Sequence, residues 1–184
     1  MALILASGSP RRRALLEELG FEPVVRIPDI DETPFPGEAP GPYVERLAIA
    51  KGAAVEAGTN DLVISADTIV TLDGQLLGKP TDDADAAVML HQLSGRTHQV
   101  MTGVAVRTSD RTESFVEATI VHFAELTQDE IEWYIDTGEP HDKAGAYAIQ
   151  GRGGAFVTAI EGSYDNVIGL PRFRLRTILT SHFA

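Results

Sequence analysis

The sequence predicts an α/β fold: a mixed, twisted sheet flanked by helices, in two lobes around a cleft. Three observations carry that expectation. Continuous apolar runs of strand length, such as Leu62-Val63-Ile64-Ser65-Ala66, read as strands covered on both faces. Some strand candidates lead into segments whose apolar residues recur at helical spacing, as βα units do. Others lead into tight-turn signals, as hairpins do, so parallel and antiparallel neighbours are mixed. No internal repeat, low-complexity tract or Ser/Pro-rich linker interrupts the 184 residues, and 1–184 are expected to form a single domain, whether one compact body or two small lobes sharing a core.

The elements follow in order. Leu3-Ile4-Leu5-Ala6 is a short buried strand, and Ser9-Pro10 opens a helix with Ala14, Leu15, Leu16 and Leu19 on its apolar face and Gly20 as its stop. Val24 to Ile27 is a second strand. Prolines and glycines between Pro28 and Gly41 then mark a long irregular connection carrying Asp29, Asp31 and Glu32. A helix is expected from Pro42 to about Ala57, with Val44, Leu47, Ala48 and Ala54 facing inward and Gly58 stopping it. The strand Leu62 to Ala66 is expected to end at Asp67. Residues 69–77 read as a hairpin turning on Asp73-Gly74, and Thr81 as the cap of a helix ending at Gly95. Val100, Thr102, Val104 and Val106 alternate, so 98–107 should be a strand with one buried face, and 113–124 its partner. Thr127-Gln128-Asp129-Glu130 is a capping-box pattern opening a helix that reaches Gly138. A glycine-rich stretch at 143–156, a strand near Phe156 to Ile160 and a final helix from Pro171 to about Leu179 complete the chain.

Composition excludes several functions. No apolar run approaches the roughly 18 to 20 residues of a membrane-spanning helix, so no membrane role is expected. The basic residues of MALILASGSPRRR follow its apolar run, the reverse of a signal peptide, and the segment is read as mature structure. Without cysteine there are no disulfides, thiolate metal sites or cysteine nucleophile, and a cytoplasmic location fits. The formal charge of −12 opposes binding of a nucleic-acid backbone. A small anionic ligand remains open if the 15 Lys and Arg are concentrated where it sits.

Ser7-Gly8-Ser9-Pro10-Arg11-Arg12-Arg13 is the first chemically informative segment. Arginines in a first helical turn oppose the macrodipole, so helix stability alone would not select them. Backbone N–H groups, serine hydroxyls and guanidinium forks together suit phosphate oxygens. The competing reading is a solvated basic face paired to nearby acids. Asp67, at a strand end, and Glu32, in the proline-rich loop, form a second candidate, because ligands of α/β sheets sit outside strand ends. Paired carboxylates there suit Mg²⁺ or Mn²⁺, completed by water and substrate phosphate. The plain alternative for Asp67 is a cap or turn residue, and for Lys51 and Lys79 a surface charge. Gly78-Lys79-Pro80 is not a P-loop, Gly151-Arg152-Gly153-Gly154 is not a dinucleotide fingerprint, and no GxSxG elbow occurs. The five histidines lack metal-ligand spacing.

Seven ordered blocks resemble the Maf family of nucleotide pyrophosphatases over nearly the whole chain. They are LASGSPRR from Leu5, Asp31-Glu32, ADT from Ala66, GKP from Gly78, SGRTHQVMTGV from Ser94, GEPHDKAGAYAIQG from Gly138 and IEGSYDNVIGLP from Ile160. The resemblance implies a Maf/inosine-triphosphatase-like fold with a nucleotide-binding cleft, a divalent cation as cofactor, and a homodimer as the common assembly. It implies hydrolysis of dTTP and UTP, with modified pyrimidine nucleotides as further candidates, to nucleoside monophosphate and pyrophosphate. It also carries the family's link to inhibition of septum formation. Asp67 matches the proposed proton acceptor, Arg12, Thr68 and Gln150 the substrate-selecting positions of the dTTP/UTP subgroup, and Ser7, Glu32, Lys51 and Lys79 polar positions lining the cleft. Asp67 and Glu32 would hold the metal. Gln150 offers the donor and acceptor that a uracil or thymine edge needs, with Tyr147 and Ala148 expected to shape a slot too small for a purine. The rivals are a nucleotide-sensing regulatory protein and a purine-directed pyrophosphatase of the same architecture.

Overall fold

Residues 1–183 are described in a computed structural model of the chain. The element order is β1 (Leu3–Ala6), α1 (Pro10–Glu18), β2 (Val24–Arg26), α2 (Pro40–Ala53), β3 (Leu62–Leu72), β4 (Gln75–Leu77) and α3 (Asp83–Leu93). It continues with β5 (Thr97–Arg107), β6 (Thr112–Phe123), α4 (Gln128–Ile135), β7 (Val157–Glu161), α5 (Tyr164–Ile168) and α6 (Arg172–Phe183). Three short 3-10 turns lie between α4 and β7, at Glu139–Asp142, Ala144–Ala146 and Arg152–Phe156. The strands form one seven-stranded sheet in the order β2-β1-β3-β5-β6-β7, with β4 also paired to β3. β1 runs parallel to β2 and β3, whereas β3–β4 and β6–β7 are antiparallel, so the sheet is mixed as expected.

The chain divides into two compact units. The first comprises Met1–Thr68, Thr102–Glu117 and Gly169–Ala184. Within it β1 is bracketed by β2 and β3, and all four of its residues are buried. Ile4, Ala6, Val55 and Val63 pack together, and α1 buries Leu15 and Leu16. Ala14, expected on the inner face of α1, is exposed, and Leu15 and Leu16 are the buried residues of that helix. As the sheet edge, β2 leaves Val24 and Val25 partly open to solvent.

Helix α2 starts two residues before the expected Pro42, because Pro40 occupies the first turn, where its fixed φ and missing N–H cost nothing. It also stops at Ala53, leaving Ala54 exposed as the C-cap rather than inward-facing. The cause is remote in sequence: the Arg107 guanidinium donates to the carbonyls of Gly52 (2.9 Å) and Val55 (2.9 Å) and satisfies groups that a helix end otherwise leaves unpaired.

The second unit comprises Ile69–Met101 and Ala118–Ile168. Its core joins Leu90 and Leu93 of α3 and Ile131 and Tyr134 of α4 to Phe123 and Phe156. The hairpin turns at Asp73 (φ 52°) and Gly74 (φ 79°), the two positive angles a tight turn of this kind needs. The capping box at Thr127 and Glu130 is complete in both directions. The cap of α3 is Asp82 rather than Thr81: the Asp82 carboxylate accepts the Asp85 N–H, and Thr81 bonds instead to the Asp85 side chain. Helix α5 was not foreseen.

Two strand expectations are corrected. β3 does not end at Asp67 but runs unbroken to Leu72, since β4 extends its pairing at Val70 to Leu72 after the partner β1 has ended at Ala6. β5 buries one face only at its start; from Thr102 to Val106 every residue is buried. Gly103 explains this: a Cβ there would lie 2.3 Å from the Val44 carbonyl oxygen, so α2 rests directly on the strand.

Candidate active site

The site-forming residues of the first unit gather where β1 ends. Beyond Ala6 the chain turns through Ser7, Gly8 and Ser9 into α1, and the Ser9 hydroxyl caps the helix by accepting the Arg12 N–H. Arg12 then reaches back over the turn. Its Nε donates to the Gly169 carbonyl (2.9 Å), Nη1 to Ser7 Oγ (3.1 Å) and Nη2 to Thr68 Oγ1 (2.9 Å). Those bonds use three of the five guanidinium N–H groups. Thr68 Oγ1 also lies 3.0 Å from Thr102 Oγ1 on β5. Arg13 does something different: it pairs with Glu17 at 2.7 Å on the exposed helix face, as the solvated-face reading anticipated.

On β3, Asp67 and Thr68 come just past Ser65, the last residue paired with β1. Lys51 is delivered from the last turn of α2 by close helix–strand packing. Ser65 Oγ donates to the Ala48 carbonyl (2.6 Å), and a Cβ at position 52 would lie 2.7 Å from that oxygen, which is why glycine stands there. Lys51 Nζ consequently meets Asp67 Oδ1 at 2.6 Å and Glu32 Oε1 at 2.8 Å. Glu32 comes from the long loop, whose backbone is tied to α2 by the Tyr43 hydroxyl donating to the Glu32 carbonyl (2.8 Å). Lys51 and Asp67 are both buried, while Glu32 is open to solvent.

A buried ion pair adds little net stability over well-packed apolar side chains, so its presence points to chemistry. Burial pushes the Arg12 guanidinium below its ordinary pKa, and the fields of Asp67 and Glu32 oppose that shift. Two lysine-bridged carboxylates and an arginine fork therefore share one electrostatic environment.

Among the described residues no group of three or more His, Asp or Glu side chains is placed to hold a metal ion. The two carboxylates nevertheless fit Mg²⁺, which characteristically takes one or two carboxylates and fills its remaining positions with water and phosphate oxygen. The ion pairs engage Oδ1 of Asp67 and Oε1 of Glu32.

Thus Ser7, Arg12, Glu32, Lys51, Asp67 and Thr68 all belong to the first unit, and Lys79 and Gln150 to the second. Both of the latter are exposed, and the Gly78 carbonyl accepts the Gly145 N–H (3.0 Å), tying the segment before Lys79 to the glycine-rich stretch before Gln150. Tyr147 does not frame an open slot: it is 5% exposed, its hydroxyl lies 2.8 Å from His98 Nε2, and its ring meets Phe123 edge-on. The partners missed from sequence are Thr102, Tyr43 and the Gly169 carbonyl. Thr102 stood at an alternating core position, and its residue type gave no signal. Gly169 is a main-chain acceptor, invisible to residue type.

A family model described as Maf-like protein matches residues 2–182. The chain belongs to the Maf family. It is 50% identical over 179 residues to the dTTP/UTP pyrophosphatase of Symbiobacterium thermophilum, covering 97% of this chain and 92% of that one. With the dTTP/UTP pyrophosphatase of Vibrio cholerae it shares 52% identity over 180 residues, 96% of each chain. Among solved structures, the Ham1 protein of Staphylococcus aureus (TM-score 0.56, 16% identity, 98% of this chain and 99% of that one) has the same fold. So does a HAM1 protein of Coxiella burnetii (TM-score 0.57, 18% identity, 98% and 100%). This Maf chain thus has the mixed α/β architecture read from its sequence.

Proposed function

We propose that this chain is a nucleoside triphosphate pyrophosphatase that hydrolyses dTTP and UTP to the monophosphate and pyrophosphate. The observation that carries the reading is the buried Lys51–Asp67 pair beside the Arg12 fork, in a chain about half identical to proteins named dTTP/UTP pyrophosphatase. In the reaction, water attacks the α-phosphorus and its proton passes to a carboxylate oxygen of Asp67. The bond from that phosphorus to the bridging oxygen breaks, and pyrophosphate leaves with the electron pair. Lys51 fixes the Asp67 carboxylate through Oδ1, while the remaining N–H groups of Arg12 meet phosphate oxygens as charge builds on them. Ser7 and Thr68 hold Arg12 in position for that task. Mg²⁺ or Mn²⁺ on Asp67 and Glu32 would neutralise phosphate charge and orient the nucleophile. Gln150 pairs with the base through its amide.

A panel of dTTP, UTP, CTP, ATP, GTP and ITP, with pyrophosphate release followed with and without EDTA, tests the proposal. The pyrimidines dTTP and UTP should exceed the purines by about tenfold or more in kcat/KM, since one or two unmade hydrogen bonds cost about 1 to 3 kcal/mol. EDTA should abolish turnover and Mg²⁺ or Mn²⁺ restore it. Equal cleavage of ITP or GTP would transfer the assignment to the purine-directed alternative, and full activity in chelator would remove the metal.

A further inference from the structure

One carboxylate of the second unit that accepts three hydrogen bonds lies outside the proposed chemistry. Glu139 follows α4 at the start of a 3-10 turn, and its side chain collects three donors. Oε1 accepts from the Tyr134 hydroxyl (2.9 Å) and the Gly153 N–H (3.1 Å), and Oε2 accepts from the Arg152 N–H (3.0 Å). The Tyr134 hydroxyl in turn accepts the Ala148 N–H (3.1 Å). One carboxylate and one phenol therefore pin the backbone at 148 on one side of Gln150 and at 152 and 153 on the other.

The fit is close. A Cβ at position 151 would lie 2.3 Å from Glu139 Oε1, and one at 153 would lie 2.5 Å from the Tyr134 oxygen, so a side chain at either position would displace the groups that brace the turn. Tyr134 is itself fixed: it is fully buried, and its ring meets Phe156 edge-on at 5.1 Å. Burial raises its pKa, which keeps the hydroxyl a proton donor to Glu139. Partial burial works against ionisation of Glu139, yet the bonds from Gly153, Arg152 and Tyr134 hold its pKa below the ordinary glutamate value. The turn so braced carries two exposed polar side chains, Gln150 at its centre and Arg152 beyond it. Successive N–H groups converging on a carboxylate form an anion nest, filled here by the protein's own side chain.

We propose that Glu139, acting with Tyr134, is a positioning residue for base selection: it holds the 148–153 turn so that the Gln150 amide is presented to the pyrimidine edge in one orientation. The inference rests on the reading of Gln150 as the base-contacting residue. Hydrogen-bond selection demands such bracing, because a displacement of about 1 Å can cost up to a hundredfold in a positioned contact.

The test compares kcat/KM for UTP and for GTP in the full-length wild type, Glu139→Gln, Tyr134→Phe, Gln150→Ala and the Glu139→Gln/Gln150→Ala double variant, with melting temperatures alongside. Glu139→Gln keeps the shape but sets an NH₂ against N–H or O–H donors. It should lower the UTP:GTP ratio about threefold or more, chiefly through KM for UTP, as loss of a uniform binding contact does. Tyr134→Phe should act in the same direction, and serves if Glu139→Gln fails to fold. In the Gln150→Ala background Glu139→Gln should lower the ratio no further. If Glu139→Gln and Tyr134→Phe lower the melting temperature but leave the ratio unchanged, while Gln150→Ala reduces it, the carboxylate is a structural clamp only and the inference is overturned. If the wild type shows no preference, or Gln150→Ala leaves it intact, the base-site reading fails and takes the inference with it.

Discussion

Lys51 and Asp67 meet at 2.6 Å in a buried position, and removing one partner strands the other's charge. This coupling shapes what substitution reveals. Asp67→Asn preserves shape and still leaves an oxygen for Lys51, but removes the basic group, so kcat for UTP should fall by at least about a hundredfold while the protein stays folded. Near-normal turnover in a folded variant would refute the role. Arg12→Lys is a second probe at this scale. A lysine ammonium keeps the charge but cannot span Ser7 Oγ, Thr68 Oγ1 and the Gly169 carbonyl together. Steady-state kinetics should therefore show a loss of about tenfold or more in kcat/KM, on the view that fork geometry is worth one or two charge-assisted bonds of about 1.5 to 3 kcal/mol. Wild-type kinetics in Arg12→Lys would mean that charge alone suffices.

Helices and strands divide into those whose ends are written locally and those whose ends are not. The capping box of α4 lies within four residues, and Thr127→Ala should cost about 1 kcal/mol in urea unfolding. An unchanged midpoint would show the box to be idle. Local signals also made the Asp73-Gly74 hairpin and the start of α1 legible, and with them Ser7 and Arg12. What stayed hidden depends on distant partners. The end of α2 is set by Arg107, more than 50 residues away, and the unbroken run of β3 by the pairing of β4 where β1 has ended. The same holds in the site. Asp67, Glu32 and Lys51 could be named from residue type and family blocks, but not that one ammonium bridges both carboxylates. Thr102 and the Gly169 carbonyl, which complete the Arg12 network, lie within family blocks, but nothing in their residue types pointed to that role. Tyr147 misled in the opposite sense: expected with Ala148 to shape an apolar slot beside Gln150, it is a core residue.

For the molecule as a whole, His98 adds a dependence of stability on pH. It is buried between Phe123 and Tyr147, and its Nδ1 has no hydrogen-bond partner among the described residues. Desolvation, aided by the field of His122, lowers its pKa from 6.5 to about 4. Between those values the unfolded chain binds more protons than the folded one, so this contribution is complete above about pH 6.5 and is lost as pH falls towards 4. At about 1.4 kcal/mol per pKa unit the loss is on the order of 3 kcal/mol. Urea unfolding at pH 7.5 and 4.5 should accordingly show a smaller acid loss for His98→Gln than for wild type; equal losses would place the titrating group elsewhere. The central claim is that the Asp67 site directs water to the α-phosphorus. Hydrolysis of UTP in ¹⁸O-labelled water with Mg²⁺ tests it most directly, by mass spectrometry of both products. The label should appear in UMP and not in pyrophosphate; label in pyrophosphate, or formation of UDP and orthophosphate, would contradict the account.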